Sequence, residues 1–127
     1  NDFYTGESID EMGIDHFLPW SRLPVNKFWN LVPTKKEFNQ EKSDKLIQLN
    51  DYIRDESLPQ HIDRCLSSDD SLIKNELEST YYKFFKRELK DDSRDKVVEE
   101  VRNLVLGLYD NLDHVTVGEK PTIEDIA

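Results

Sequence analysis

The chain has very few of the residues that cross-link small proteins. It contains one cysteine, Cys65, in 127 residues. No disulfide framework and no zinc site built from paired cysteines can therefore form within it, and packing must hold the fold together. A lone thiol is typical of a reducing compartment, so we expect a cytoplasmic protein.

Long hydrophobic runs are missing as well. No apolar stretch comes close to the roughly 18 residues that a membrane-spanning helix needs, and charged residues (35%) are about as common as hydrophobic ones (36%). The length is that of one domain. The chain starts at Asn1 without a visible targeting signal, and we expect it to be part of a longer protein.

Positive charge is scarce and unevenly placed. The formal net charge is -10. Residues 1–20 hold five acidic and no basic side chains, residues 21–50 hold three acidic and six basic ones, and residues 51–127 hold nineteen acidic and eleven basic ones. A polyanion would bind best near residues 21–50. We interpret the acidic remainder as a solvated surface.

Polar residues at fixed spacing lie within the basic stretch and just before it. The set comprises Asp15-His16, Asn30, Asn39 and the group Asn39-Gln40-Glu41-Lys42-Ser43-Asp44, preceded by the turn Tyr4-Thr5-Gly6. Carboxylate and amide oxygens are hard ligands for Mg²⁺ or Mn²⁺, and a histidine titrates near neutral pH. Taken singly, His16 would be explained as a histidine packed beside Phe17, and only the combination indicates chemistry.

This pattern resembles the HNH (His-Me finger) endonucleases, and within them the domains of CRISPR effectors and of restriction or phage-defence nucleases. The resemblance covers about the first third of the chain. It implies an α+β fold with a ββα-metal core in residues 1–50. A helical region in residues 51–127 would follow and pack on that core within a single domain.

The resemblance further implies a metal-dependent endonuclease that hydrolyses DNA phosphodiester bonds. Asp15 and Asn39 would hold Mg²⁺ or Mn²⁺, and no structural zinc is expected. His16 would be the general base that activates a water, Asn30 would hold the loop that aims His16, and Lys42 would contact the scissile phosphate. Asn39 stands where many members of the family have a third histidine.

The expected partners are DNA and further domains or subunits that deliver it, and a subunit containing guide RNA is one candidate. No membrane partner is expected. Two alternatives stay open at this point. One is a non-catalytic HNH-like scaffold or interaction module, which the acidic surface favours, and the other is a ribonuclease.

Local patterns predict the strands around this motif. A short strand over Phe3–Thr5 and a second strand from Ile14 would form a hairpin. If the side chains of Asp15-His16 serve one site, the backbone there must leave regular strand geometry. A further strand over Trp29–Val32 would stop at Pro33.

Helical patterns fill most of the remainder. Thr34 is expected to cap a short helix that runs through Lys42 and carries Lys35, Asn39 and Lys42 on one face. Two more helices are predicted from Asp44 and from Pro59. Apolar stripes then predict two long amphipathic helices that pack as an antiparallel pair. The first contains Ile73 and ends near Asp91-Asp92, and the second follows Ser93 and carries its stripe from Val97 to Leu112. A tail is expected from His114.

Overall fold

The first part of the fold is a small sheet with one helix on it. The computed structural model describes residues 1–18, 26–42 and 47–112. Strands β1 (Met12–His16) and β2 (Leu31–Lys35) form a two-stranded antiparallel sheet. Helix α1 (Lys36–Lys42) follows β2 directly and packs against both strands.

Three longer helices follow, as the apolar stripes predict. They are α2 (Leu58–Leu66), α3 (Ser71–Phe85) and α4 (Arg94–Leu112). One π-helical turn, Ile53–Ser57, leads into α2. The predicted α+β class is therefore confirmed. None of the helices in the described ranges is long and apolar enough to span a membrane.

The expected antiparallel pairing of α3 with α4 is wrong. Both helices pack mainly on α2 instead. The physical reason is that α2 buries Leu58 and Ile62 completely and so offers apolar surface to both neighbours. Residues 47–50 are not helical and helical structure begins at Asp51, so the start of the helix expected from Asp44 is wrong where it can be followed. Helix α3 ends before the expected Asp91-Asp92, because Lys86 adopts a left-handed conformation with φ at +56°. The predicted tail from His114 lies outside the described residues.

The expected strand over Phe3–Thr5 is a turn, and Asp2 explains why. Oδ1 of Asp2 accepts hydrogen bonds from the backbone N–H groups of Tyr4 (2.8 Å) and Thr5 (2.9 Å). Gly6 then turns the chain with φ at +76°, a conformation that favours glycine. A side chain that binds the following N–H groups offers the backbone an alternative to a strand.

Asp2 also explains why Thr34 does not cap α1. The Thr34 hydroxyl and the Lys35 backbone N–H both donate to Oδ2 of Asp2, at 2.8 Å and 2.6 Å. These bonds keep both residues in β2, and the helix begins one residue later. Lys35 therefore does not share a helix face with Asn39 and Lys42, and that prediction is wrong.

Pro33 lies inside β2 rather than ending it. It sits opposite Ile14 in the sheet, and its carbonyl accepts the backbone N–H of Phe3 at 2.9 Å. The backbone nitrogen and carbonyl of Pro33 both point away from β1. The missing proline N–H therefore removes no hydrogen bond between β1 and β2. The expectation that Pro33 halts the strand is wrong for this reason.

One hydrophobic core joins the sheet to the helices. The ring of Phe17 stacks on Tyr109 of α4 with centroids 5.0 Å apart, and the Tyr109 hydroxyl donates to the carbonyl of Ile47 at 2.6 Å. In the π turn, the Ser57 hydroxyl donates to the carbonyl of Phe3. The division into a core at 1–50 and an extension at 51–127 stays a prediction.

Replacing Asp2 with alanine should lower the free energy of unfolding by about 3 kcal/mol, because buried donors lose a charged acceptor. Burial alone would raise the pKa of Asp2. The hydrogen bonds from Lys35, Thr34, Thr5 and Tyr4 outweigh burial and hold this pKa below its ordinary value of 3.8. A carboxyl whose pKa is lower in the folded state stabilises the fold above roughly pH 4 and loses that contribution as pH falls through the folded value.

Urea unfolding of the parent and of Asp2→Ala at neutral pH and below pH 4 would measure both effects. We expect the acid-dependent loss of stability to be smaller in the variant. Asp10→Ala, at an exposed carboxylate of the same segment, is the matched control and should change little. Parallel pH profiles in parent and Asp2→Ala would show that Asp2 does not make this contribution.

Candidate active site

Asp15 lies at the centre of a buried polar cluster. The residue is 7% exposed. Its Oδ2 accepts a hydrogen bond from the Tyr4 hydroxyl at 2.5 Å and lies 2.9 Å from the ammonium of Lys42. Lys42 is 4% exposed, and its Nζ lies 5.5 Å from the centroid of the Tyr4 ring. Side chains from three segments thus meet at one carboxylate oxygen.

Charge rather than a well-aligned hydrogen bond joins Lys42 to Asp15. The N···O distance is short, but within the described part of the chain the Lys42 ammonium has no acceptor in hydrogen-bonding geometry. Both charges are disfavoured by burial, so each depends on the other. Burial raises the pKa of Tyr4 well above its usual range, and the Asp15 charge raises it further, so the phenol stays protonated and donates.

Helix α1 runs close along β1 at Gly13. A Cβ on Gly13 would lie 3.4 Å from Asn39 Nδ2 and 3.5 Å from the Cα of Lys36. The close approach lets Asn39 Nδ2 reach the carbonyl of Ile14 at 3.4 Å. Residues 13 and 15 share a face of the strand, so Asn39 lies on the same side of β1 as Asp15.

His16 lies on the opposite face of β1 from Asp15. The antiparallel register continues unbroken through both residues, and neighbouring residues of a strand point to opposite faces. The expected irregularity at Asp15-His16 is therefore not found, and the chain leaves the strand at Phe17. A substrate that meets both side chains would have to span the end of β1, where they lie on its two faces. His16 is partly exposed, and its Nε2 lies 3.4 Å from Oδ1 of Asn26.

Asn30 is completely buried and holds the chain just after His16. Its Oδ1 accepts the backbone N–H of Leu18 at 2.7 Å, and its Nδ2 donates to the Leu18 carbonyl at 3.3 Å. The Asn30 backbone carbonyl accepts the N–H of Phe17 at 2.8 Å. One asparagine therefore fixes both residues that follow β1.

The lysines expected to form a basic face are paired with acidic side chains. Lys35 lies 2.7 Å from Glu7, and Lys36 lies 3.6 Å from Glu11. Exposed pairs of this kind contribute at most about 1 kcal/mol and exchange readily with other partners. The local positive charge is thus largely neutralised in this conformation, although an arriving phosphate could compete for it.

The sequence of residues 2–47, about a third of the chain, matches the family model of HNH endonucleases. We refer to residues 2–47 as the HNH segment. No curated protein and no solved structure matches the chain. The recognition of the family is therefore confirmed for this segment, and the family suggests nuclease activity on nucleic acid.

The HNH segment brings its predicted site residues together in two groups. Asp15, Asn39 and Lys42 lie on the side of β1 that α1 covers. His16 and Asn30 belong to the end of β1 and to the turn that fixes it. Ser43 and Asp44 of the motif lie outside the described residues, and the catalytic and metal-binding roles stay predictions.

Two residues of the HNH segment make contacts that the sequence did not reveal. Tyr4 donates to the Asp15 carboxylate, and Asp2 organises the turn that carries Tyr4. An aspartate shortly before a glycine, here Asp2 and Gly6, is a recognised turn signal. Nothing in the sequence indicates that Tyr4 reaches Asp15.

Proposed function

We propose that this chain is a metal-dependent HNH endonuclease domain that hydrolyses DNA phosphodiester bonds with a ββα-metal core. We further propose that it is the nuclease module of a larger CRISPR, restriction or phage-defence effector working in the cytoplasm. One observation carries the first proposal: within a segment that matches the HNH family, α1 holds Asn39 along the same face of β1 as Asp15. His16 ends the same strand.

The donor set fits Mg²⁺ or Mn²⁺ of the kind that keeps most of its waters. Within the described ranges no three His, Cys, Asp or Glu side chains form a metal-binding group. A hard cation that takes one carboxylate, one amide oxygen and a substrate phosphate does not need such a group. Asp15 and Asn39 would hold it. When bound, the cation would neutralise the charge that develops on the phosphate and the leaving oxygen.

His16 is the residue proposed to remove the proton from the attacking water. In-line displacement places the attacking water and the leaving oxygen on opposite sides of the phosphorus. His16 and Asp15 lie on opposite faces of β1, so a phosphodiester at the end of this strand would have the base on one side and the metal-holding carboxylate on the other. Partial exposure keeps His16 accessible to that water.

Lys42 is proposed to hold the Asp15 carboxylate in place. The ammonium is buried against this carboxylate. Contact between Lys42 and the scissile phosphate stays a prediction, and it requires the ammonium to be shared between the carboxylate and the phosphate.

The function is tested by incubating the 127-residue chain with supercoiled plasmid, single-stranded DNA and RNA. Parallel reactions contain Mg²⁺, Mn²⁺ or EDTA. We expect nicking or cutting of DNA with either metal and none with EDTA. Cleavage of RNA alone would establish the ribonuclease alternative, and no cleavage of any substrate would support the scaffold alternative.

Replacing Asn39 with alanine should weaken Mn²⁺ binding by roughly tenfold or more, because loss of a ligand or its support typically costs tenfold to a hundredfold in affinity. Stability should change little, since the Asn39 side chain makes one long hydrogen bond within the described ranges, to the Ile14 carbonyl. Calorimetric titration with Mn²⁺ measures the first effect and thermal unfolding the second.

Gln40→Ala, at an exposed residue of the same helix, is the control for the Asn39 variant. Equal Mn²⁺ affinity in Asn39→Ala and Gln40→Ala would remove Asn39 from the ligand set. Asp15→Asn is a less direct test, because it also strips Lys42 of its counter-ion.

Delivery of the DNA by further domains or subunits remains part of the proposal. Residues 51–127 carry eight more acidic than basic side chains, which opposes the approach of a polyanion. With only a few phosphate contacts, binding would be weak and strongly dependent on salt. A covalently attached nucleic-acid-binding module would hold the DNA near the site, at an effective DNA concentration of up to about millimolar.

A non-catalytic scaffold is the second candidate. The neutralised lysines and the buried Asp15–Lys42 pair favour it, because both reduce what a phosphate finds at the surface. The partial exposure of His16 opposes it. The cleavage assay with Mg²⁺, Mn²⁺ or EDTA distinguishes the nuclease from the non-catalytic scaffold.

A further inference from the structure

The turn that carries Asn30 is held by two helices outside the HNH segment. This 3₁₀ turn, Phe28–Asn30, begins at Phe28 and leads into β2. The backbone N–H of Phe28 donates to Oε1 of Glu76 in α3. Its carbonyl lies 3.2 Å from Nε2 of His61 in α2. One residue is thus bound on both sides by side chains far along the chain.

Burial affects the protonation of both side chains that contact Phe28. His61 is 7% exposed, and Glu76 is partly buried. Burial lowers the pKa of His61, although the Phe28 carbonyl opposes the shift, so the ring is neutral near pH 7 and one of its nitrogens carries a proton to donate. Burial raises the pKa of Glu76, while the Phe28 N–H and the nearby Lys27 act in the opposite direction.

The side chain of Trp29, the next residue of the turn, is not seen to fix the turn by a hydrogen bond. Trp29 fills the core, but its indole N–H has no hydrogen-bond partner among the described residues. Directional contacts that fix the turn include those at Phe28, a hydrogen bond between His61 and the Trp29 backbone, and the Asn30 N–H bond to the Lys27 carbonyl at 2.8 Å. Asn30 in turn fixes Leu18, two residues after His16.

We propose that Glu76 and His61 are positioning residues for the HNH site, acting through Phe28 and Asn30 on the segment that aims His16. This gives the helical region a role in the reaction although neither side chain touches the site. The inference rests on the proposed nuclease function for its catalytic part. A displacement of about 1 Å at a reacting group can cost roughly a hundredfold in rate, so small movements of this turn matter.

The test compares Glu76→Ala, Glu76→Gln and His61→Ala in the full chain, at a temperature where circular dichroism shows each to be folded. Glu76→Ala and His61→Ala should lower kcat for plasmid cleavage by roughly tenfold to a hundredfold. KM for DNA and the Mn²⁺ affinity should stay within twofold, because neither residue contacts metal or substrate. Glu76→Gln keeps an acceptor oxygen and should recover most of kcat.

Hydrogen–deuterium exchange at the Leu18 amide is the second readout and does not require activity. Exchange should rise about tenfold in Glu76→Ala relative to the parent, because Asn30 holds this amide less firmly. Glu78→Ala and Gln60→Ala, at exposed neighbours on α3 and α2, are the matched controls and should match the parent in both readouts.

The outcomes separate this inference from the nuclease proposal. A folded Glu76→Ala protein with parental kcat and parental Leu18 exchange would overturn the inference. If Glu76→Ala speeds Leu18 exchange but the parent chain cleaves no nucleic acid, Glu76 holds the segment after His16 without a role in catalysis. That result would support the structural part of the inference and overturn its catalytic part. A rise in KM or a loss of Mn²⁺ affinity with unchanged kcat would also overturn it, since these belong to direct contact.

Discussion

His16→Ala should abolish most cleavage, lowering kcat by roughly a hundredfold to ten-thousandfold, which is the usual contribution of a general base. The free energy of unfolding should change by less than about 1 kcal/mol, because His16 is partly exposed on the open face of β1. Single-turnover plasmid cleavage with saturating Mg²⁺ measures the rate, and urea unfolding measures the stability.

Met12→Ala is the matched control for His16→Ala. Met12 lies on the same face of β1 and is 62% exposed, so its loss should leave cleavage unchanged. The assignment of His16 as base is wrong if His16→Ala cleaves within tenfold of the parent. Addition of imidazole to His16→Ala offers a further check, because a small base can replace the missing one only where the water is activated.

Lys42→Met should lower the free energy of unfolding by about 3–5 kcal/mol, the usual result of removing one partner from a buried ion pair. The reason is that Asp15 keeps the hydrogen bond from Tyr4 but loses its counter-charge. Thermal and urea unfolding measure the effect. Mn²⁺ should restore more stability to Lys42→Met than to the parent if Asp15 is a metal ligand, because the cation then supplies the missing charge.

Two further variants define what the Lys42 result means. Lys36→Met removes an exposed ammonium 3.6 Å from Glu11 and should cost less than about 1 kcal/mol. The double variant Asp15→Asn with Lys42→Met should be more stable than Lys42→Met alone, because no unpaired charge remains. If Lys42→Met keeps the parental stability but raises KM for DNA, Lys42 serves the phosphate instead of Asp15.

The helices could be predicted because their information is local. Leu77 and Tyr81 in α3, and Val97, Val101 and Val105 in α4, recur every four residues, and all five are buried. Such a period is visible in any one stretch of the chain. The pattern does not identify the helix against which each stripe packs. The sequence therefore predicts contact between α3 and α4, whereas in the structure both helices pack mainly on α2.

The start of α1 could not be predicted because it depends on a distant carboxylate. Thr34 followed by two lysines has the composition of a helix start. In the structure both Thr34 and Lys35 pair with β1 and donate hydrogen bonds to Asp2, more than thirty residues away, and these contacts keep them in a strand. The ion pair of Asp15 with Lys42 also joins residues that are far apart in the sequence. The sequence predicts Asp15 as a metal ligand and Lys42 as a phosphate contact, whereas their pairing inside the core depends on the whole fold.

The contact between Phe17 and Tyr109 determines how much of the chain must be kept when the HNH segment is transferred to another protein. Phe17 comes directly after His16, and the ring that covers it belongs to the last described helix. A graft of residues 1–50 into a new host would arrive with Phe17, Phe3 and Trp29 uncovered, and would aggregate or refold around whatever apolar surface the host provides. The transferable module therefore extends at least through α4, and protein engineers who trim it to the sequence motif should expect an insoluble product.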